Sequence, residues 1–204
     1  VLTSEYEKAE KFYIEVIDWA TQTRESLVVQ IMLGNAYRQL AKMYQGQGKY
    51  EYAGLNYGHA IDNLKKSSTR IIEPNIGLMS LYLDMGEIEL ADSIEDKITT
   101  EMSTTILTHR EFYLEKGRLL IAKMKYAEAI ENLETFLNLG NGSEITEETK
   151  QTHFLRYQAY KKIGQGNNAL AAFESFKRIE DSLEIGTIKE NVQKIQSDYE
   201  ISLR

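Results

Sequence analysis

Apolar residues recur along this chain at intervals of three and four rather than two, a spacing that predicts helices almost throughout. Tyr37, Leu40, Ala41 and Tyr44 share one helical face, and after Gly48 the pattern restarts with Tyr50, Ala53, Tyr57 and Ala60. Extended along the chain, the pattern predicts helices near 3–22, 25–46, 50–66, 73–86, 88–101, 106–123, 126–139, 145–163, 167–183 and 187–202. Ser4 with Glu7, Thr108 with Glu111, and Thr187 with Glu190 have capping-box spacing and mark three helix starts. Pro74, the only proline, falls in a first helical turn, where a missing amide is tolerated. The run Leu139-Gly140-Asn141-Gly142-Ser143 reads as a loop.

The pattern also repeats at longer range. Ala53, Ala91, Ala129 and Ala169 are separated by 38, 38 and 40 residues. Around them stand matching sets: Met79, Tyr82, Gly86 and Ile98 in the second unit, Tyr113, Gly117, Tyr126, Leu133 and Phe136 in the third, and Tyr157, Tyr160, Gly164, Phe173 and Phe176 in the fourth. Each unit is a helix hairpin. A small residue early in its second helix lets two backbones approach, aromatics one turn on fill the space toward the next unit, and a glycine caps the turn. Such hairpins bury only part of their apolar surface alone and gain stability by stacking. Tyr6, Ala9, Tyr13 and Val16 read as the second helix of a unit whose first helix precedes this chain.

These residues resemble the tetratricopeptide repeat. That family's hairpin carries an aromatic, a Leu-Gly pair and a Tyr, then Gly, Tyr, Ala, an aromatic and Ala. The match is good over Tyr37 to Ala60 and fair over Tyr113 to Phe136. At the small position of the first helix Ala41 and Gly117 fit, whereas Met79 and Tyr157 depart from the pattern. Units here also exceed the family's usual length of about 34. The resemblance implies an all-α, tetratricopeptide-like, right-handed helix-hairpin solenoid with a C-terminal capping helix. One domain is expected over 1–204: a leading helix 1–22, hairpins 25–66, 73–101, 106–139 and 145–183, and a terminal helix 187–204. It further implies a concave groove lined by the first helices: Asn35, Arg38, Lys42 and Gln45, then Ile76, Ser80 and Leu83, then Glu111, Leu114, Arg118 and Ile121, then Phe154, Gln158 and Lys161. Cations gathered there favour an acidic peptide or a terminal carboxylate. The family's paired Lys and Asn clamp is not reproduced.

Composition narrows the chemistry. With 24 Lys+Arg against 31 Asp+Glu the net charge is -7, against nucleic-acid binding by this region, which needs clustered positive charge. The absence of cysteine removes disulfides, thiolate metal sites and a thiol nucleophile. His59, His109 and His153 form no metal-ligand spacing, and no metal or cofactor is expected. Gly46 to Gly48 and Gly164 to Gly166 have neither a preceding strand nor a following Lys-Ser/Thr, so they are turns rather than phosphate loops. No catalytic constellation stands out, and a non-enzyme is expected. The thirteen tyrosines mostly occupy repeat positions and are read as packing.

Ile188, Val192, Ile195 and Tyr199 form a heptad-like stripe on the last predicted helix, which reads as a cap that can also associate. The stretch from Asn168-Ala169-Leu170 to Asp181-Ser182-Leu183, with Tyr199-Glu200 after it, resembles the end of the repeat array in bacterial membrane-bound sensor proteins. There a membrane span and a histidine kinase or helix-turn-helix domain come next. That resemblance implies a periplasmic sensing module for a protein or peptide ligand, meeting the membrane only through a segment outside this chain. The alternative is a cytoplasmic scaffold or peptide receptor.

Overall fold

A computed structural model of the chain describes residues 2–23, 26–65, 70–101, 109–140 and 144–202, with the backbone alone described for 2–6 and 198–202. Among these residues the helices are α1 (Leu2–Gln22), α2 (Leu27–Gly46), α3 (Tyr50–Leu64), α4 (Ile72–Met85), α5 (Ile88–Glu101), α6 (Arg110–Ala122), α7 (Tyr126–Leu139), α8 (Glu147–Lys162) and α9 (Gly166–Ser202). The described residues contain no strand. Side-chain caps fix two starts. Ser26 accepts from the Val29 amide at 3.2 Å, and Thr146 accepts from the Thr149 amide at 3.1 Å. Ser4, expected as a cap, falls inside α1, which is already helical from Leu2, while Thr108 and positions 141–143 of the expected loop lie outside the described residues.

The residues form two compact units, 1–115 and 116–204. In the first, α1 packs on α2, α2 pairs with α3, α3 meets α4, and α4 pairs with α5. Ala41, Ala53, Tyr57 and Leu81 form one core cluster, and Ile72, Ile76, Ile98 and Phe112 another. A Cβ on Gly77 would lie 2.3 Å from the Tyr57 ring, so only glycine lets α4 sit on that ring without displacing it. In the second unit α7 meets α8, and α8 pairs with α9 around Ile130, Ala159, Tyr160, Ala169 and Ala172. There Gly117 gives the Leu133 side chain its space, a Cβ falling 2.6 Å from it. All four marker alanines are buried.

The four turns inside the hairpins share one backbone device. Lys49, Glu87, Lys125 and Gln165 donate their amides to the carbonyls of Tyr44, Tyr82, Leu120 and Tyr160, at 2.9, 2.9, 2.8 and 2.9 Å. These are six-to-one bonds that close a helix through a left-handed residue. Gly48, Gly86 and Gly164 occupy that residue with φ of 71°, 76° and 75°. In the third hairpin Met124 stands there instead, at φ 59°.

One expected boundary does not exist. The separate helices predicted over 167–183 and 187–202 are a single element, α9, of 37 residues. Nothing between them forbids helix: there is no proline, and Gly186 alone costs about 1 kcal/mol relative to alanine. Thr187, expected as a cap, donates its hydroxyl to the Leu183 carbonyl at 3.0 Å, as a mid-helix threonine does.

Candidate binding surfaces

In the first unit the residues expected in a groove divide by role. Arg38 on α2 is paired with Glu73 on α4 at 2.9 Å. Gln45 donates through Nε2 to Ser80 Oγ at 3.3 Å and to Asp84 Oδ2 at 2.6 Å, while its Oε1 accepts the Tyr57 hydroxyl at 2.9 Å. Arg38, Gln45 and Ser80 therefore tie α2 to α4. Burial pushes the Tyr57 phenol above its ordinary range, with Glu115 adding to the shift. Asn35 and Leu83 are half-buried, and Lys42 and Glu111 are exposed. Ile76 and Leu114, expected to line the groove, are core residues instead, 6% and 2% exposed. Their side chains turn into the packing between helices, so no ligand reaches them.

Tyr44 binds α1 by donating its hydroxyl to Glu10 Oε1 at 2.6 Å. Burial and then that hydrogen bond raise its pKa from 10.0 to about 12. His59 stacks on Tyr37 with ring centroids 4.9 Å apart, and His153 is buried. Among the described residues no group of three or more His, Asp or Glu could hold a metal ion, and no helix is long and apolar enough to cross a membrane.

In the second unit Arg118 and Gln158 are half-buried, and Ile121 packs against the Ile130 and Tyr160 cluster. Arg156 bonds Glu134 at 3.1 Å, and the Tyr160 hydroxyl donates to the same carboxylate at 2.7 Å. Burial raises the Tyr160 pKa, reinforced by that hydrogen bond. An aromatic cluster between α8 and α9 is part-exposed. Phe154 and Tyr157 on α8 meet Phe176 and Phe173 on α9, each pair with centroids 5.2 Å apart. Phe173 and Phe176 stand 5.9 Å apart and complete the cluster. Lys161 Nζ lies 5.8 Å from the Tyr157 ring centre and Lys177 Nζ 5.9 Å from that of Phe176, so both cations rim the patch, Lys177 also hydrogen-bonding Glu180.

The repeat register explains why this patch is bare. Phe173 lies four residues after its marker alanine, as Tyr57 and Leu133 do after theirs. Tyr57 is 1% and Leu133 0% exposed, whereas Phe173 is 38% exposed. Phe154 and Lys161 were expected at the surface on the first helix. Phe173 and Phe176 were read as packing toward a following unit; they pack on Phe154 and Tyr157 of their own hairpin, with Phe173 still 38% exposed.

No family model matches the sequence, and no curated protein matches it. Solved structures do. The crystal structure of BtubC (BKLC) from P. vanneervenii is 18% identical, with a TM-score of 0.63, covering 88% of this chain and 75% of that one. A putative kinesin light chain from Podosopora anserina with nearly identical TPR-like repeats is 17% identical, with a TM-score of 0.56, covering 89% and 96%. MamA of AMB-1 is 14% identical, with a TM-score of 0.54, covering 88% and 97%. Together with the hairpin register, these likenesses establish the fold as an all-α, tetratricopeptide-like array of helix hairpins.

Proposed function

We propose that this chain is a non-catalytic protein- or peptide-binding module whose contact face is the last hairpin. The observation that carries the reading is the part-exposed cluster of Phe154, Tyr157, Phe173 and Phe176 rimmed by Lys161 and Lys177. Aromatic side chains offer large apolar area at low entropic cost, and the two ammonium groups favour carboxylates beside it. The partner is an apolar segment carrying Asp or Glu.

A displayed-peptide selection against the intact chain tests this. The expected result is enrichment of acidic-aromatic or acidic-aliphatic sequences whose binding is lost in Phe154→Ser and Phe173→Ser chains. Selected peptides that bind these variants as well as the parent would overturn the assignment of this face.

In the narrower reading, the module is the periplasmic sensing half of a bacterial signalling regulator. Its support is the Asp181-Ser182-Leu183 stretch, which here lies inside α9 rather than in the turn that the resemblance implies. Sequencing the gene on either side tests this. An export signal before Val1 and a membrane span with a kinase or helix-turn-helix domain after Arg204 are expected. A stop codon directly after Arg204 selects the cytoplasmic scaffold instead.

A further inference from the structure

The distal part of α9 carries apolar residues that its own hairpin leaves in water. The first half of the helix is held by Ala169, Ala172 and Ile179, all buried, whereas every described side chain from 184 to 197 is exposed. The helix rises about 55 Å over its 37 residues, so its end projects beyond the hairpin that anchors it. On this stretch Ile185, Ile188, Val192 and Ile195 are 48–68% exposed. They are separated by three, four and three residues, the alternation of a coiled-coil seam with Ile185 and Val192 at a, Ile188 and Ile195 at d. A surface helix of a globular protein turns its one apolar stripe toward a core. This stripe is exposed along its length, and its regular spacing matches another helix of the same kind.

We propose that this stripe is a self-association seam, occupied by the same segment of further copies of this chain in parallel register. The charges beside the seam specify the occupant. Glu184 takes a g position and Lys189 the e position five residues on, the two that meet across a parallel pair. In register, Glu184 of each copy therefore faces Lys189 of its neighbour, and Asn191 faces Gln196. Reversing one helix sets e beside e and g beside g, so Glu184 no longer meets Lys189. A shift by one heptad sets Glu184 against Gln196. Opposite charges thus agree with one orientation and one register. Gly186 falls at b, away from the seam, where its missing side chain costs no contact. A free segment of two heptads is normally too short to hold a helix, because nucleation is unfavourable. Here the nucleus already exists in the packed half of α9, so association has only to bring formed helices together. With Ile185 and Val192 at a and isoleucine at both d positions, the seam lacks the leucine at d that marks a two-stranded coil.

Sedimentation equilibrium of the intact chain from about 1 µM to about 1 mM, the range of weak association, reads this directly. The expected result is an average mass that climbs from that of one copy toward two or three. The Val192→Asp chain should remain at one copy while keeping its helical circular dichroism. Glu184→Lys and Lys189→Glu should each weaken association about two- to fivefold, with the double exchange restoring it. Because the chain has no cysteine, Ile188→Cys puts a single thiol on the seam. It should cross-link under mild oxidation, since only a parallel, in-register pair brings the same d position of two copies together. A Glu190→Cys control at the outer f position should not. A single-copy mass throughout overturns the proposal, as does association that survives Val192→Asp or is lost in Phe173→Ser. Failure of Ile188→Cys to cross-link overturns the parallel arrangement.

Discussion

The hairpin α2–α3 and the hairpin α8–α9 carry the same register and use it in opposite ways. In α3, Tyr57 points into α4, where Gly77 leaves room for its ring and Gln45 accepts its hydroxyl. In α9, Phe173 holds the equivalent position and packs on Tyr157 and Phe176, leaving part of the ring in water. The difference lies in the neighbour each hairpin has on its C-terminal side. A repeat position is buried where a neighbouring helix covers it and part-exposed where none of the described residues does, so chemistry alone does not fix its burial.

The largest break in that comparison is a pair of truncations. Tyr57→Ala should cost about 3–5 kcal/mol, since it removes a buried ring and orphans part of the Gln45 network. Phe173→Ala should cost about 1 kcal/mol or less. Urea unfolding monitored by circular dichroism reads both. Equal losses would mean that Phe173 is as integral to packing as Tyr57.

The turns allow a finer comparison of the same kind. Met124 is held at φ 59°, in the left-handed region where the other three turns have glycine. A side chain there costs about 1–2 kcal/mol, so Met124→Gly should stabilise the second unit, less the entropy that glycine gains when unfolded. The expected net gain is about 1 kcal/mol, read as a higher urea midpoint. Gly164→Met should lose a similar amount.

The smallest effect is on alkaline stability. Folding raises the Tyr44 pKa from 10.0 to about 12, so the fold favours the neutral phenol. That contribution is fully present below pH 10 and fades as pH rises toward 12. Tyr57 shifts in the same direction. Thermal melts should therefore fall across this window, and Tyr44→Phe should flatten the slope while lowering stability at neutral pH by removing the bond to Glu10.

Much of the fold was legible because its determinants are local. Small residues at fixed spacing announce close helix pairs, and Gly48, Gly86 and Gly164 announce left-handed turns. The third turn was expected between 123 and 126, but its left-handed residue was not legible, since nothing about methionine suggests positive φ. The unbroken α9 was hidden for the reverse reason: Thr187 and Glu190 imitate a cap, but a cap forms only where the helix has cause to begin. The candidate surface was less legible than the fold. Ile76 and Leu114 sit on first helices as groove residues do, yet how far a side chain is covered depends on neighbours dozens of residues away. Phe173 and Phe176 were visible as aromatics, while how far each is covered depends on the helices packed around it.

The common hydrogen bond from Lys49, Glu87, Lys125 and Gln165 bears on how such a chain can change its length. Because every hairpin closes on the same backbone geometry, an inserted or deleted block that begins and ends at the left-handed residue leaves an identical joint behind. Duplication or loss of a whole unit is then a smaller perturbation than adding a few residues inside one, and the side chains around the new junction are left to adapt afterwards.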